Sequence, residues 1–306
     1  MKSWLQLFRA PNLFTVPGDP IAGFLLAYGA SEKGAALLDL RVAFAIVASL
    51  CLYCAGLAMN DIVDLAEDKR DRPKRPLASG AITIQTAWIA TAVLSLTGLL
   101  AMNLVAGSAG LLSAVATLGC VALYNGVTKG IPVIGAINMG LCRGLSLLLG
   151  AVAFSKQFWP QPGIVVLGAL VATAYIAAVT NLARYETGTK VPGFARVQPA
   201  LVLLGAFILF NLGHGPLLER PATALLGVCL IFAAAEVGRL FRKQAPPLPP
   251  VIGALIRVLL PIQAALCVVF PKEQTFALTA QTQFIAIALL VLMPVSRAVG
   301  RRFYAS

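Results

Sequence analysis

Charged residues are scarce in this 306-residue chain, where they make up 12% of the sequence, against about 25% in soluble domains. Only twelve residues are acidic, and His214 is the single histidine, which argues against histidine-based catalysis. The mean hydropathy is +0.86. A soluble protein of this length and composition would need a larger apolar core than globular domains build. The sequence therefore excludes an ordinary soluble protein.

Long apolar runs take the place of the missing charge. A membrane-spanning helix needs about 20 mostly apolar residues, because the hydrocarbon core offers the backbone no water. The runs predict a single all-α domain over residues 1–306, a polytopic transmembrane bundle of nine to ten helices. Pro261 and Pro294 interrupt the last two of the ten expected spans, which lie at 13–30, 41–59, 83–104, 108–125, 132–153, 162–181, 197–213, 221–239, 250–270 and 277–296.

The basic residues are unevenly divided between the loops on the two sides of these spans. With the N-terminus inside, seventeen of the 24 fall in inside segments and five in outside segments, while Arg143 and Arg257 lie within spans. Lysine and arginine concentrate in cytoplasmic loops of membrane proteins. The asymmetry predicts an integral protein of the cytoplasmic membrane with both termini cytoplasmic. It also explains the net charge of +12 without a nucleic-acid partner.

The six cysteines all fall in apolar segments. Cys51 and Cys54 form a CxxC pattern, but the sequence holds no second pair of cysteines or histidines at metal-ligand spacing. We therefore expect buried thiols rather than a metal or redox site.

One polar stretch stands out, "NDIVDLAEDKRDRPKRPLASG" at residues 60–80. Asn60, Asp64 and Asp68 are spaced i, i+4 and i+8. They form one stripe if the second span continues as a helix past the membrane interface, and Asp61 lies next to that stripe. Carboxylates at this spacing repel unless a positive charge lies between them. Carboxylate and amide oxygens suit Mg²⁺, which takes one or two carboxylates together with substrate phosphates.

A basic cluster follows these acids at once and is able to bind phosphate oxygens; it consists of Lys69, Arg70, Arg72, Lys74 and Arg75. Acids, a metal ion and bases in succession indicate a diphosphate site. The alternative is a solvated loop in which acids and bases merely pair with one another. The ordered stripe at a membrane surface, where an oily substrate and a charged head must meet, favours the diphosphate site.

The same stretch resembles the NDxxDxxxD motif, and the RP-L-SG that follows it, of the UbiA superfamily of intramembrane prenyltransferases. A second stretch, "LYNGVTKGIPVIGAINMGLCRGLSLLLGA", is similar to the segment after the fourth span of that family. The matching residues are Asn60, Asp61, Asp64, Asp68, Arg75, Pro76, Leu77, Ser79 and Gly80, followed by Tyr124, Lys129, Pro132, Gly135 and Asn138. "RAPNLFTVPGDPIAGFLLA", at residues 9–27, is similar to the first helix of the family.

The resemblance implies a helical bundle around a central cavity that opens sideways to lipid. It implies Mg²⁺ as cofactor, an isoprenyl diphosphate as one partner and a hydrophobic or aromatic acceptor as the other, with membrane lipid around them. The metal ligands would be Asn60, Asp61, Asp64, Asp68 and Glu186. Lys129 and Arg143 would act in catalysis, and the diphosphate would be bound by Tyr124, Arg72, Arg75, Asn181, Arg184 and Lys190.

The second acidic motif of the family, DxxDxEGD, is degenerate here. The matching stretch reads "TNLARYETGTK", in which Asn181, Arg184 and Gly188 replace the aspartates and Glu186 is the acid that remains. The altered motif resembles that of UbiA-like members of the bacterial Ebo clusters. Arg184 and Lys190 could bind the diphosphate in place of a second metal ion. Alternatively, the protein binds a prenyl lipid without efficient catalysis, or the alignment is shifted by a few residues.

Asp19, between Pro17 and Pro20, is expected to cap backbone amides freed by the prolines. Glu236 and Arg239 are expected to form an ion pair at the end of a span.

Overall fold

In the computed structural model of the protein, residues 2–30, 39–186, 191–212, 221–242, 244–269 and 276–303 are described, and these segments contain helices and no strand. Eight helical segments among them are long and apolar enough to cross a membrane, which confirms the expected all-α membrane protein. The helices are α1 (Lys2–Leu7), α2 (Ala10–Leu13), α3 (Gly18–Gly29), α4 (Leu40–Val63), α5 (Leu65–Asp71), α6 (Ile84–Leu123), α7 (Ile134–Ser155), α8 (Gly163–Ala183), α9 (Gly193–Leu212), α10 (Pro221–Arg239), α11 (Leu248–Arg257), α12 (Leu259–Cys267) and α13 (Phe276–Phe303).

Helix α6 is two antiparallel halves rather than one rod. Ala106 and Gly107 leave helical geometry, and Gly107 has φ 56° and ψ −138°, a conformation that favours glycine. A Cβ on Gly110 would lie 2.1 Å from the carbonyl oxygen of Met102. Eight residues of a straight helix would instead separate these positions by about 12 Å. The reversal separates the two predicted spans at 83–104 and 108–125.

Both ends of α6 lie against the C-terminal half of α4. Near its start, Ala87 shares an apolar cluster with Ala58. Just past its end, Asn125 donates to the carbonyl oxygen of Gly56 at 3.3 Å. The hairpin therefore returns the chain to the end of α4, where the acidic segment begins.

Helices α3 and α7 approach each other closely because small residues meet between them. A Cβ on Gly150 would lie 1.8 Å from the carbonyl oxygen of Pro20, and one on Gly23 would lie 1.9 Å from that of Leu147. Small residues permit such backbone contact between membrane helices. The large apolar core is built by α3 together with residues of α7 to α13.

Three local expectations have a clear outcome. All six cysteines are free thiols, but the expected burial holds only for Cys229 and Cys267, and the other four are half-buried. Glu236 and Arg239 form the expected ion pair at 2.6 Å. The capping role expected for Asp19 is wrong, because its carboxylate accepts hydrogen bonds from Arg143 and Gln263 instead. The sequence could not reveal these partners, which lie 124 and 244 residues away.

Candidate functional site

The acidic stripe forms as the spacing predicts. Helix α4 ends at Val63, Asp64 stands between α4 and α5, and the helical hydrogen bonds continue across this junction. The amide of Asp64 donates to the carbonyl oxygen of Asn60 at 2.9 Å, and that of Asp68 donates to Asp64 at 2.8 Å. Asn60, Asp64 and Asp68 consequently remain in helical register at the end of α4.

Lys129 brings a positive charge to this stripe from a distant part of the chain. It directly follows a π-helical turn, Tyr124–Thr128, at the end of α6. Its ammonium donates to Asn60 Oδ1 at 2.9 Å and to Asp64 Oδ2. The amide of Asn60 in turn donates to Asp64 Oδ2 at 3.0 Å. A cation thus lies between a carboxylate oxygen and an amide oxygen.

Arg75 neutralises the two buried acids of the segment. Asp61 and Asp68 are 4% and 2% exposed. The Arg75 guanidinium lies 2.7 Å from Asp68 Oδ2 and 3.8 Å from Asp61 Oδ1, and Arg72 lies 3.9 Å from Asp68 Oδ1. Buried carboxylates need such partners because an unpaired buried charge is costly. The loop after α5 therefore folds back over the acids.

The donor set fits a hard divalent cation that substrate phosphates help to hold. Asp64 and Asn60 already place two oxygens around the Lys129 ammonium, and Asp68 follows one helical turn on. Within the segments that the structure describes, no three Asp, Glu, His or Cys side chains converge into a complete metal cage. Mg²⁺ is commonly bound by one or two carboxylates with phosphates completing the shell, and these residues suit that arrangement.

A hydrogen-bonded support holds the π-helical turn that precedes Lys129. Asn138 of α7 donates to Thr128 Oγ1 at 2.8 Å, and its side-chain oxygen accepts from the Cys120 thiol. A Cβ on Gly135 would lie 2.5 Å from the carbonyl oxygen of Thr128, so α7 touches the turn directly. Residues of the second matching stretch therefore position Lys129.

Only part of the degenerate second motif lies near the acidic segment. Partial desolvation raises the pKa of the Glu186 carboxyl above its usual 4.5, and Arg72 and Arg9 oppose that rise. The charge of Arg72, which itself approaches Asp68, therefore acts on Glu186, whose side chain is exposed. Arg184 follows α8 and is exposed. Lys190 lies outside the described residues.

Asn181 lies in a groove away from the acidic segment and Lys129. Its side-chain amide donates to Gln198 at 2.7 Å. Both residues line a groove of about 460 Å³ between α7, α8 and α9, together with alanines such as Ala174 and Ala177. The opposite face of α8 is buried in the core.

Arg143 is engaged in a separate buried network. Its guanidinium donates to Asp19 at 2.8 Å and to Thr15 at 2.6 Å, and it lies 5.6 Å from the centre of the Tyr53 ring. Gln263 donates to Asp19 at 2.6 Å. These contacts join α3, α4, α7 and α12, and none of them is to the acidic segment.

Sequence reasoning missed Arg9, which interacts electrostatically with Glu186. Arg9 has φ 47° and ψ 59°, left-handed values that a non-glycine residue rarely adopts. Strained backbone of this kind concentrates at functional sites. The similarity of residues 9–27 to the first helix of the family was the signal that could have found it.

The fold and site define a helical membrane protein in which acidic and basic side chains meet at the ends of helices. The model of the UbiA prenyltransferase family matches residues 20–192. The chain belongs to the UbiA prenyltransferase family.

Curated relatives are similar over part of their length. The digeranylgeranylglyceryl phosphate synthase of Methanococcoides burtonii is 30% identical over 159 residues, 50% of this chain and 56% of the relative. The synthase of Haloquadratum walsbyi is 31% identical over 166 residues, 54% and 57% of the two chains. The chain spans little more than half the length of these relatives.

Solved structures share the fold. A UbiA homologue from Archaeoglobus fulgidus bound to DMAPP and Mg²⁺ aligns with a TM-score of 0.63 and 15% identity, over 94% of this chain and 99% of the other. A digeranylgeranylglyceryl phosphate synthase structure aligns with a TM-score of 0.61 and 22% identity, over 88% and 98% of the two chains.

Proposed function

We propose that the protein transfers an isoprenyl group from an isoprenyl diphosphate to an acceptor within the membrane, with Mg²⁺ as cofactor. One observation carries this proposal: the Lys129 ammonium lies between Asp64 and Asn60, with Asp68 and Arg75 beside them. Acidic oxygens for a metal ion and basic groups for phosphate therefore meet at the end of a membrane helix. The charge asymmetry of the loops supports a cytoplasmic location for this end.

In this proposal the acidic residues bind the metal ion and the basic residues bind the phosphates. Asp64, Asp68 and Asn60 would hold Mg²⁺, which when bound neutralises charge on the diphosphate. Lys129 and Arg75 would then exchange contacts with carboxylates for contacts with phosphate oxygens. Fixed cations aimed at a leaving oxygen stabilise the charge that develops there as the bond breaks. The DMAPP and Mg²⁺ bound to the A. fulgidus homologue support this division.

The remaining cations and acids have subsidiary roles in this proposal. Glu186, through its interaction with Arg72, would complete the site from the opposite side. Arg184 and Lys190 would supply positive charge where the family has a second acidic motif. Tyr124 begins the π-helical turn and would line the site next to Lys129. Asn181 and Arg143 would act from outside the phosphate-binding cluster.

The acceptor enters from the bilayer and is therefore hydrophobic. The relatives are named digeranylgeranylglyceryl phosphate synthases, which makes a glycerol phosphate lipid the first acceptor to test. Aromatic acceptors form the second group, because the sequence resemblance alone implies them equally. Carbon–oxygen or carbon–carbon bond formation at the acceptor distinguishes the two groups.

A second candidate function is prenyl-lipid binding without turnover. The observation that favours it is the position of Asn181, which is paired with Gln198 in a groove away from Lys129. In addition, the second acidic motif retains one acid, Glu186, of the four in the family motif DxxDxEGD. A binding protein would retain the first motif for the diphosphate and release no product.

Diphosphate release tests the two functions against each other. The protein in nanodiscs is incubated with Mg²⁺, an isoprenyl diphosphate of each chain length, and a glycerol phosphate lipid or an aromatic acid. We expect release that requires Asp64 and is lost in Asp64→Asn. Asp71→Asn is the matched control, because Asp71 lies on the same segment but is exposed and paired with Arg70. Ligand-dependent stabilisation without any release would establish the binding function instead.

A further inference from the structure

Two thiols from neighbouring helices meet beside the candidate site. Cys120, in the second half of α6, and Cys142, in α7, have their sulfur atoms 3.5 Å apart. Both are free and partly exposed. A disulfide bond of about 2.0 Å requires the sulfurs to approach by about 1.5 Å more. No local pattern predicts this pair, because its members are 22 residues apart on different helices.

A short chain of contacts links these thiols to Lys129. The Cys120 thiol donates to Asn138 Oδ1, and the Asn138 amide donates to Thr128 Oγ1 at 2.8 Å. Thr128 directly precedes Lys129, whose ammonium contacts Asp64. Any change that removes the Cys120 S–H donor therefore acts on the residue that orients this turn.

We propose that Cys120 and Cys142 are a modification site, a dithiol that a membrane-soluble quinone oxidises to a disulfide, and that the disulfide weakens the phosphate-binding site. The two thiols lose two protons and two electrons, one S–S bond forms, and the quinone becomes a quinol. We name an oxidant of this class because both sulfurs lie within apolar spans, where an uncharged, lipid-soluble two-electron acceptor can reach them. A thiol reductant reverses the step.

Disulfide formation acts on the phosphate-binding site because it removes the S–H donor of Cys120. In the disulfide, Cys120 no longer donates to Asn138, so the Asn138 side chain is free to turn and the support of the Lys129 turn is weakened. We expect the affinity for an isoprenyl diphosphate with Mg²⁺ to fall about tenfold, the usual effect of misplacing one charge-assisted hydrogen bond. This effect rests on the proposed function, whereas formation of the disulfide does not.

Three variants separate the chemistry from its consequence. Cys142→Ser cannot form the disulfide and leaves the Cys120–Asn138 contact intact. Cys120→Ala also cannot form the disulfide, but it removes the donor to Asn138 and so imitates the oxidised protein. Cys51→Ser, on α4, is the control for general thiol loss.

The test treats the detergent-solubilised protein with a short-chain benzoquinone, then maps disulfides by mass spectrometry and measures ligand-dependent thermal stabilisation. We expect a Cys120–Cys142 linkage in the wild type, reduced stabilisation that a thiol reductant restores, and no response in Cys142→Ser. Absence of the linkage overturns the proposal, as does a linkage that leaves ligand binding unchanged. If the reduced protein binds no isoprenyl diphosphate at all, the proposed function fails, and the linkage alone decides the modification site.

Discussion

The Lys129 ammonium donates a hydrogen bond to Asp64, a residue 65 positions earlier at the junction of α4 and α5. The same ammonium contacts Asn60, so it lies where a metal ion bound by these two oxygens would lie. The proposed site therefore contains its own cation until a substrate and Mg²⁺ arrive. Binding would release Lys129 from Asp64 toward the phosphates.

Lys129→Gln separates the two proposed roles of this lysine, which are to bind the diphosphate and to occupy Asp64 when Mg²⁺ is absent. We expect isoprenyl diphosphate affinity to fall by about tenfold to a hundredfold, because a charge-assisted hydrogen bond is worth about 1.5–3 kcal/mol. We expect Mg²⁺ alone to bind no more weakly than in the wild type, because its competitor for Asp64 has been removed. Calorimetric titration with each ligand measures both effects. Lys156→Gln, at the far end of α7, is the control, and equal weakening of both ligands would contradict the account.

Arg75→Gln tests the pairing of the two buried acids. Removal of the guanidinium takes the 2.7 Å ion pair from Asp68, which keeps only the weaker contact with Arg72 at 3.9 Å, and takes the 3.8 Å ion pair from Asp61. Breaking a buried pair costs about 3–5 kcal/mol. We expect a clearly lower thermal midpoint that added Mg²⁺ partly restores. Arg70→Gln is the matched control, because Arg70 pairs with Asp71 on the exposed surface. A midpoint that is equal in the two variants would refute the assignment of Arg75 to the acids.

Arg143 should act on stability through Asp19. Arg143→Gln leaves a buried carboxylate unpaired, so we expect a loss of about 3–5 kcal/mol. The double variant Asp19→Asn with Arg143→Gln should recover much of that loss, as the cycle of single and double variants would show. Should ligand affinity fall while stability stays unchanged, Arg143 binds the diphosphate directly, as the sequence resemblance implies.

Glu186 should give the stability a small pH dependence, because its side chain is exposed and solvent screens its charge. Its pKa is raised above the usual 4.5, so the folded protein holds this proton more tightly than the unfolded chain does. The contribution of this group to stability is therefore greatest at low pH and falls as pH rises through the raised pKa. Thermal midpoints measured against pH should show this fall in the wild type and not in Glu186→Gln. If Glu186 is a metal ligand, Mg²⁺ should offset the fall at higher pH.

The fold was predictable because the apolar runs are long and their boundaries are marked. Even the reversal within α6 was visible as a break at Gly107, where two spans were expected. The stripe of Asn60, Asp64 and Asp68 followed from helical spacing alone. These predictions thus depended only on local sequence patterns, namely the lengths of the apolar runs and the helical spacing of polar residues.

Contacts between distant helices could not be predicted in the same way. Nothing local to Asp19 indicates Arg143 or Gln263, and so its capping role was wrong. The contact between Cys120 and Cys142 depends on how the second half of α6 packs on α7. Only the tertiary packing of the helices decides such pairs.

The most direct measurement is thermal stabilisation of the purified protein by a panel of isoprenyl diphosphates, with and without Mg²⁺, in the wild type and in Asp64→Asn. A ligand at about 100 times its dissociation constant adds about 2.7 kcal/mol to stability. The account predicts stabilisation that needs both Mg²⁺ and Asp64. Stabilisation that persists in Asp64→Asn, or its absence for every chain length, would contradict the proposed diphosphate site.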